Sequence, residues 1–182
     1  AMEGKMVAGM GMKIGVALSQ DGITFGRVEG DDPSGAIMFP YDASDSNMKW
    51  IAEMKDDMDG SPVVIEEELY CAWPDVVVNS EEERKKSRDN TGFFMYYSTM
   101  VKDTKEKAIA VAVSDDGFRW YKRGVCVRSD GGSLDDGGCA RSTVVRNAVF
   151  LDGEWRDSEG WTIFYEGVSK ADELQDHYCE EY

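Results

Sequence analysis

The stretch IGVALSQDGITF at residues 14–25 occurs a second time as IAVAVSDDGFRW at residues 109–120, and this repeat decides the predicted fold. The two copies share Ile, Val, Ala, Ser, Asp and Gly at matching positions, and each ends in an aromatic residue. Such a pattern predicts a short strand, a tight turn at Asp-Gly, and an aromatic side chain that opens the next strand. Glycine supplies the positive φ of the turn, while Ser and Asp side chains can hydrogen-bond its backbone amides. The repeat therefore predicts two β-hairpins.

A second, aromatic-rich element is also repeated. Residues 92–98 (GFFMYYS) resemble residues 160–167 (GWTIFYEG), and each run follows an apolar strand and a polar loop. The preceding apolar strands are Pro74–Val78 and Thr143–Phe150. In chain order, an apolar strand, a charged loop, an aromatic strand, a linker and the hairpin make one four-stranded antiparallel unit. This unit predicts an all-β fold built from the blades of a β-propeller.

The spacing of the repeat limits how many blades the chain can hold. The two hairpin copies lie 95 residues apart, which corresponds to about two blades of roughly 40–50 residues each. Residues 1–182 are therefore predicted to form a single propeller-like domain of about two to two and a half blades, whereas a closed propeller needs about four or more. Three interpretations stay open: a fragment of a longer protein, partial blades that pair with another chain, or an open sandwich of sheets.

Composition and charge exclude several classes of partner. The 182 residues carry 36 acidic and 20 basic side chains, a formal net charge of -16, and 42% hydrophobic residues. The apolar content is sufficient for a packed core, and the negative charge opposes binding to nucleic acid or to anionic membranes. No apolar run approaches the roughly 20 residues that cross a bilayer. Neutral ligands, cations and basic proteins are the partners that this charge allows.

Cysteine and histidine usage argues against a metal or cofactor site. Cys71, Cys126, Cys139 and Cys179 are widely spaced without a CxxC motif, so buried free thiols are favoured over one or two disulfides and a zinc knuckle is not expected. The only histidine, His177, lies in a polar tail with no nucleophile motif beside it. We therefore expect neither histidine-based catalysis nor a cofactor.

The repeated segments resemble a known family. The segment CAWPDVVV…GFFMYYS…AIAVAVSDDGFRW, within residues 71–120, resembles the blade signature of the five-bladed propeller glycosidases of the arabinanase, levansucrase and invertase superfamily. The segment SLDDGGCARSTVVRNAVFLDGEW…GWTIFYEGVS, within residues 133–169, is more specifically similar to uncharacterised glycosyl-hydrolase-like propeller proteins of plants, algae and cyanobacteria. The resemblance implies a carbohydrate ligand and leaves the compartment open, a chloroplast and a secreted location both being compatible.

The resemblance also implies a set of site residues. In that superfamily, carboxylates around a central channel cleave the glycosidic bond, because one carboxyl must donate a proton while another stays ionised. By resemblance, the catalytic residues of this chain are Asp75 and Glu166. The expected substrate-binding residues are Trp73, Arg146, Asn147 and Tyr165. For Trp73 the alternative to stacking on a sugar ring is a place in the core, and for Arg146 and Asn147 the alternative to ligand binding is a buried polar pair that ties neighbouring blades together.

One position departs from the catalytic pattern. Relatives that cleave sugars carry an aspartate followed by a proline in the strand that resembles residues 145–150, where this chain has Asn147 and Ala148. An amide cannot supply the negative charge that steadies an oxocarbenium-like transition state. The carboxylate set is therefore predicted to be incomplete.

Two functions from different classes follow from these observations. The first is a glycoside-hydrolase-like protein that binds or processes carbohydrate. The second is a non-catalytic acidic propeller module, an interaction or structural subunit of a larger assembly such as one in a plastid. The expected partner is a carbohydrate in the first case and a protein in the second.

Overall fold

The computed structural model describes residues 11–48, 64–86, 91–132 and 134–170. Within these ranges the chain forms eight β-strands, one short α-helix and one turn of 3-10 helix at Ser46–Met48. The predicted all-β class is confirmed. Each helix in the same ranges is too short and too polar to span a bilayer.

The first two strands form the predicted N-terminal hairpin. They are β1 (Val16–Leu18) and β2 (Gly26–Val28), which pair antiparallel. The hairpin at residues 109–120 is also present, and the two hairpins have the same register beside the turn: Leu18 lies opposite Gly26, as Val113 lies opposite Tyr121. Farther from the turn the registers differ, because a register shift between Val111 and Ala112 has no counterpart in β1–β2. The repeated sequence therefore produces the same local structure twice.

The turns of the two hairpins are closed by the same side-chain bonds. Ser19 Oγ accepts a hydrogen bond from the amide of Gly22 at 2.8 Å, and Asp21 Oδ1 accepts from the amides of residues 23 and 24 at 2.8 Å each. The corresponding bonds within residues 114–119 measure 2.8, 2.8 and 2.9 Å. Gly22 has a φ of 74°, a conformation that glycine adopts without a steric penalty.

The middle of the chain forms a four-stranded antiparallel meander. Its strands are β3 (Glu68–Val78), β4 (Phe93–Val101), β5 (Lys107–Ser114) and β6 (Tyr121–Val127). Strands adjacent in the chain are adjacent in the sheet, in the order that the sequence pattern predicts.

The loop between β3 and β4 contains the helix α1 (Glu81–Lys86). Ser80 precedes it, and the Ser80 amide donates to Glu83 Oε2 at 2.7 Å while the Glu83 amide donates to Ser80 Oγ at 3.3 Å. This reciprocal arrangement is a capping box, which satisfies amides at the start of the helix.

The last two strands form a long antiparallel hairpin that crosses one face of the meander. They are β7 (Gly138–Leu151) and β8 (Glu154–Val168). One parallel bridge, between Lys107 in β5 and Gly138 in β7, connects the hairpin to the meander. Trp161 of β8 meets Phe94 of β4 edge-on, with 6.1 Å between ring centroids. We call the side of the meander that contains Phe94 the hairpin face.

The opposite side of the meander, here the N-terminal face, carries the main apolar core. Ile14, Ile37 and Met38 of the N-terminal segment pack there against residues of all four meander strands. Strand β5 is covered on both the hairpin face and the N-terminal face of the meander. Its sequence KAIAVAVS is apolar at almost every position, as expected for a strand buried on both sides. The core residues contributed by the meander are Cys71, Met95, Tyr97, Ala110, Ala112 and Trp120.

The N-terminal face also contains a buried charged cluster. The Lys122 ammonium is fully buried and donates to Glu68 Oε2 at 2.5 Å, to the Tyr97 hydroxyl at 3.1 Å and to Cys71 Sγ at 3.3 Å. Burial alone would lower the pKa of Lys122, but Cys71 and Glu68 outweigh it and raise that pKa. Burial raises the pKa of the Cys71 thiol and of the Tyr97 hydroxyl. The ammonium thus has a partner for each of its three protons.

The hairpin β7–β8 repeats β3–β4 with an offset of 68 residues. Each strand pair contains a buried Cys-Ala dipeptide, at residues 71–72 and 139–140, followed at once by a register shift. The chain therefore contains, in order, the last two strands of the four-stranded unit, one complete unit, and the first two strands of the unit. The equivalent strand pairings are Ala72↔Ser98 with Ala140↔Glu166, and Asp75↔Tyr96 with Thr143↔Phe164.

The described strands belong to two open sheets and do not form a closed ring. Cys71, Cys126 and Cys139 are free thiols, as favoured from the sequence, although Cys126 is exposed rather than buried. Cys179 and His177 lie outside the described residues.

Candidate ligand cleft between two bulged strands

A β-bulge interrupts β3, and a second bulge interrupts β7 at the equivalent position. In β3 the register shifts between Ala72 and Asp75, and in β7 between Ala140 and Thr143. A bulge places two residues of one strand opposite a single residue of its partner, bends the strand and redirects side chains, and bulges are frequent beside binding sites. The two bulges are therefore the first place to look for a ligand site.

The two bulges bring Trp73 and Arg141 together. Their φ angles are 49° and 41°, in the left-handed region, where a residue with a side chain is destabilised by about 1–2 kcal/mol. Arg141 Cζ lies 5.0 Å from the ring centroid of Trp73, and Arg141 Nη1 donates to Glu166 Oε2 at 3.4 Å. Strained backbone of this kind is concentrated at ligand-binding positions.

An open cleft of about 640 Å³ lies between the two bulges. It contains four of the six site residues implied by the sequence: Asp75, Glu166, Trp73 and Tyr165. The complete lining is Trp73, Pro74, Asp75, Arg141, Ser142, Thr143, Phe164, Tyr165 and Glu166.

Asp75 is fixed in the cleft by the neighbouring bulged strand. Its Oδ2 accepts a hydrogen bond from the amide of Val144 at 2.7 Å, and the residue is half-buried. The preceding residue, Pro74, has no amide proton to donate to a sheet, which is why proline is tolerated at a bulge. The carboxylate therefore has a defined direction while part of it still reaches solvent.

The Tyr165 side chain is fixed by a hydrogen bond to a buried acid, Asp135. The Tyr165 hydroxyl donates to Asp135 Oδ2 at 3.2 Å, and this bond raises the pKa of Tyr165. The Cys139 thiol donates to the same oxygen at 3.5 Å, and burial together with Asp135 raises the pKa of Cys139 to about 12. Because its hydroxyl is occupied in this way, Tyr165 offers the cleft its ring rather than a free proton donor.

Ser142 adds a hydroxyl to the lining of the cleft. Its Oγ is buried and has no hydrogen-bond partner within the part of the chain that the structure describes. Buried hydroxyls nearly always have a partner, so this oxygen is an available polar contact for a bound molecule.

Arg146 and Asn147 lie outside the cleft. Arg146 Nη2 donates to the carbonyl of Val78 at 2.8 Å and to Asn79 Oδ1 at 3.1 Å, and its guanidinium lies 4.8 Å from the ring centroid of Trp161. Asn147 Oδ1 accepts from Thr162 Oγ1 at 2.6 Å. Arg146 thus connects β7 to the end of β3, whereas Asn147 connects β7 to its hairpin partner β8.

The cleft offers both polar and aromatic contacts. The Glu166 side chain is 59% exposed and forms an ion pair with Arg141. In the described residues, no group of three or more His, Cys, Asp or Glu side chains is arranged to hold a metal ion.

Five cleft residues were not predicted as site residues from the sequence: Pro74, Arg141, Ser142, Thr143 and Phe164. The signal that could have revealed them is the repeated Cys-Ala dipeptide, because aligning CAWPD with CARST places Arg141 opposite Trp73. That alignment is weak in sequence, since the three residues after Cys-Ala differ between the copies.

Comparison with known proteins adds no relative: no family matches the sequence, and neither a curated protein nor a solved structure shows significant similarity to it.

Proposed function

We propose that this protein binds carbohydrate in the cleft between the two bulges. The observation that carries the proposal is the grouping of two aromatic rings, Trp73 and Tyr165, with two carboxylates, Asp75 and Glu166, around one open cleft. The C–H face of a sugar ring packs on aromatic rings, and its hydroxyls donate hydrogen bonds to carboxylates. Concave sites with a few convergent polar groups are typical of small-molecule binding.

The strand repeat supports a propeller-like arrangement around this cleft. Strands β3 and β7 are equivalent first strands of successive four-stranded units, and the cleft lies between them. In a propeller the first strand of each blade would face the central channel, which is where ligands of such folds bind. The four-stranded meander β3–β6 would then be one complete blade, and the two flanking hairpins would be parts of its neighbours.

The proposal favours binding over cleavage. Hydrolysis of a glycosidic bond requires one neutral and one ionised carboxyl on opposite sides of the bond. Glu166 is paired with a guanidinium, and the aspartate expected in β7 is replaced by Asn147, which bonds Thr162. A protein with these residues would retain a sugar without breaking it.

The alternative function, a non-catalytic interaction module, is favoured by a different observation. Large apolar side chains are exposed on the N-terminal hairpin and on β7–β8, including Ile23, Phe25 and Phe164. Exposed apolar groups of this kind mark surfaces that bind other proteins. The two functions share Phe164, which lines the cleft, whereas Ile23 and Phe25 lie on the N-terminal hairpin away from it.

The proposal is tested by calorimetric titration of the purified chain with a panel of neutral and acidic oligosaccharides. We expect at least one glycan to bind, and Asp75→Asn to weaken it roughly 10-fold or more, because a hydrogen bond to a charged group contributes about 1.5–3 kcal/mol. The amide oxygen that this substitution introduces can still accept from the amide of Val144, so the fold is preserved. Trp73→Asn removes the aromatic platform, and asparagine tolerates the left-handed conformation.

A matched control is Phe118→Asn, which removes an exposed aromatic ring from the turn after β5. It should leave glycan affinity unchanged. Failure of every glycan to bind the unmodified chain would overturn the proposal, and hydrolysis of an aryl glycoside that Asp75→Asn abolishes would replace binding with catalysis.

A further inference from the structure

We propose that a second copy of this chain supplies the strand missing beside β8, so that β7–β8 of one copy and β1–β2 of the other form a complete four-stranded sheet. Within the described ranges, β8 pairs only with β7, and β1 pairs only with β2. The hairpin β7–β8 is equivalent to the first half of the meander and β1–β2 to its second half. Each copy thus carries the two halves of a four-stranded sheet, and the meander shows how two such halves pair.

The exposed side chains of the two halves are those that the assembled sheet buries. Trp120 in β5–β6 is 2% exposed, but Phe25 at the equivalent position is 60% exposed. In the meander, Trp120 meets Phe93 edge-on, so Phe25 of a second copy would meet Trp161 in the same way.

Charge is complementary between the same two halves. In the meander, Lys122 forms an ion pair with the buried carboxylate of Glu68. The residue equivalent to Lys122 in the N-terminal hairpin is Arg27. In β7–β8 the buried carboxylate is Asp135, which is 3% exposed and contacts Tyr165 and Cys139 as Glu68 contacts Tyr97 and Cys71. Among the described residues Asp135 receives hydrogen bonds but has no cationic partner. Arg27 of a second copy would supply that cation.

The faces of the sheets also match. Val76 and Val78 lie beside Met95 and Phe93 on the N-terminal face of the meander, yet both are exposed and neither belongs to the apolar cluster around Ile14. The outward side of β7–β8 likewise exposes Val145 and Phe164. Successive sheets in this chain pack face to face, so the outward side of β7–β8 from one copy fits the uncovered valines of the other.

The arrangement closes on itself. Each copy contributes one complete four-stranded sheet and two half sheets, which together make two sheets. Contacts between β8 of one copy and β1 of the next are head-to-tail, and such contacts form a closed ring when the rotation between copies closes. Two copies give a ring of four sheets, the smallest number found in closed propellers, and three copies give six.

Disulfide trapping between two singly substituted chains tests the predicted strand pairing. Ala112 lies opposite Met95 in the meander, and the repeats place Ala17 and Ile163 at the equivalent positions. Mixing Ala17→Cys chains with Ile163→Cys chains under mild oxidation should give a covalent dimer, because directly opposed residues in adjacent strands are close enough for a disulfide. The matched control pairs Ala17→Cys with Thr162→Cys, whose side chain points to the other face of β8, and should give no more dimer than the unmodified chain.

Charge reversal at Arg27 tests the proposed ion pair. Native mass spectrometry and light scattering should show a species of two or three times the 20.3 kDa chain mass. Arg27→Glu should raise its dissociation constant roughly 30-fold or more, as expected for losing one partner of a buried charge pair. The control Lys85→Glu makes the same change of charge on the exposed surface of α1 and should leave assembly unchanged.

A monomer at every concentration tested would overturn the proposal, and would assign the missing strands to another part of a longer chain or to a different protein. Assembly that Arg27→Glu leaves intact, with no trapping through Ala17→Cys, would also overturn it, because the copies would then meet by another surface. Glycan binding is measured separately, so either proposal can fail without the other.

Discussion

The meander β3–β6 and the two half sheets that flank it contain the same local structures in different surroundings. The hairpins β1–β2 and β5–β6 share the register beside the turn and the turn hydrogen bonds, and β3–β4 and β7–β8 share a bulge. Among the described residues the two halves meet only in the meander, and there Tyr97 and Lys122 are fully buried. Local sequence thus sets the hairpins, while burial depends on the strand that lies alongside.

The largest difference between the regions is expected at Lys122 and its equivalent, Arg27. Replacing Lys122 with methionine leaves the Glu68 carboxylate buried without its cation, and should lower the free energy of unfolding by about 3–5 kcal/mol. Arg27→Met removes an exposed guanidinium and should change the stability of the dilute, dissociated chain by less than about 0.5 kcal/mol. Urea denaturation of both variants measures the two values.

The double variant Lys122→Met with Glu68→Gln serves as the control for this comparison. It removes both charges, so it should be more stable than Lys122→Met alone. Equal losses at Lys122 and Arg27 would show that the two regions are not as different as their burial indicates.

A smaller difference is expected at the turn glycines. Gly22 and Gly117 have φ angles of 74° and 80°, so alanine at either position costs about 1–2 kcal/mol of backbone strain. An added Cβ meets nothing within 4 Å at Gly22 and only ordinary contacts at Gly117, so the strain is the same in both. Gly117→Ala should lower the global free energy of unfolding, whereas Gly22→Ala should mainly speed amide hydrogen exchange in β1–β2.

Hydrogen exchange read residue by residue, with each substitution, separates these outcomes. Faster exchange through the whole molecule after Gly22→Ala would contradict the expectation, since it would mean that the N-terminal hairpin opens only when the meander does.

The smallest expected effect is the pH dependence of the turn aspartates, Asp21 and Asp116. Hydrogen bonds from the amides of Thr24 and Ile23 lower the pKa of Asp21 from 3.8 to about 2, and the pKa of Asp116 is lowered too: its burial acts in the opposite direction but is outweighed by the amides of Arg119 and Phe118. Because the pKa of Asp21 is lowered in the folded state, the hydrogen bonds to its carboxylate stabilise the turn fully at pH values above the ordinary pKa of 3.8. This stabilisation is lost as the pH falls through about 2. Carboxyl NMR titration should therefore show Asp21 ionised at about pH 3, and Asp21→Asn should remove the acid dependence of the N-terminal turn. A titration midpoint near the ordinary value would contradict the shared turn geometry.

The sequence predicts the hairpins well because their determinants are local. Asp-Gly requires a tight turn, and the Ser and Asp side chains lie within a few residues of the amides that they bind. The second repeat is harder to recognise because Trp73 and Arg141, which occupy the same strained conformation, have nothing in common as amino acids. Backbone geometry is preserved there without residue identity.

The residues of the cleft could also be predicted only in part from the sequence. Asp75, Trp73, Tyr165 and Glu166 come together, since each lies at or beside a bulge or its facing strand. Arg146 and Asn147 do not, because they lie three and four residues beyond Thr143, the last residue of β7 in the lining, where their side chains bond to residues 78–79 and to Thr162. Asp135 lies in a loop and is buried only by tertiary packing, so no periodic pattern in the sequence identifies it.

The single bridge between Lys107 and Gly138 has a consequence for how the chain can change over time. Gly138 has a φ of 115°, and a Cβ there would lie 2.6 Å from both the carbonyl oxygen and the Cβ of Lys107. Any substitution would force the strands apart at the one place where β7–β8 is joined to the meander by a described backbone bridge. A replacement at Gly138 is therefore expected to separate β7 from β5, whereas exposed side chains along these strands can change without touching the bridge.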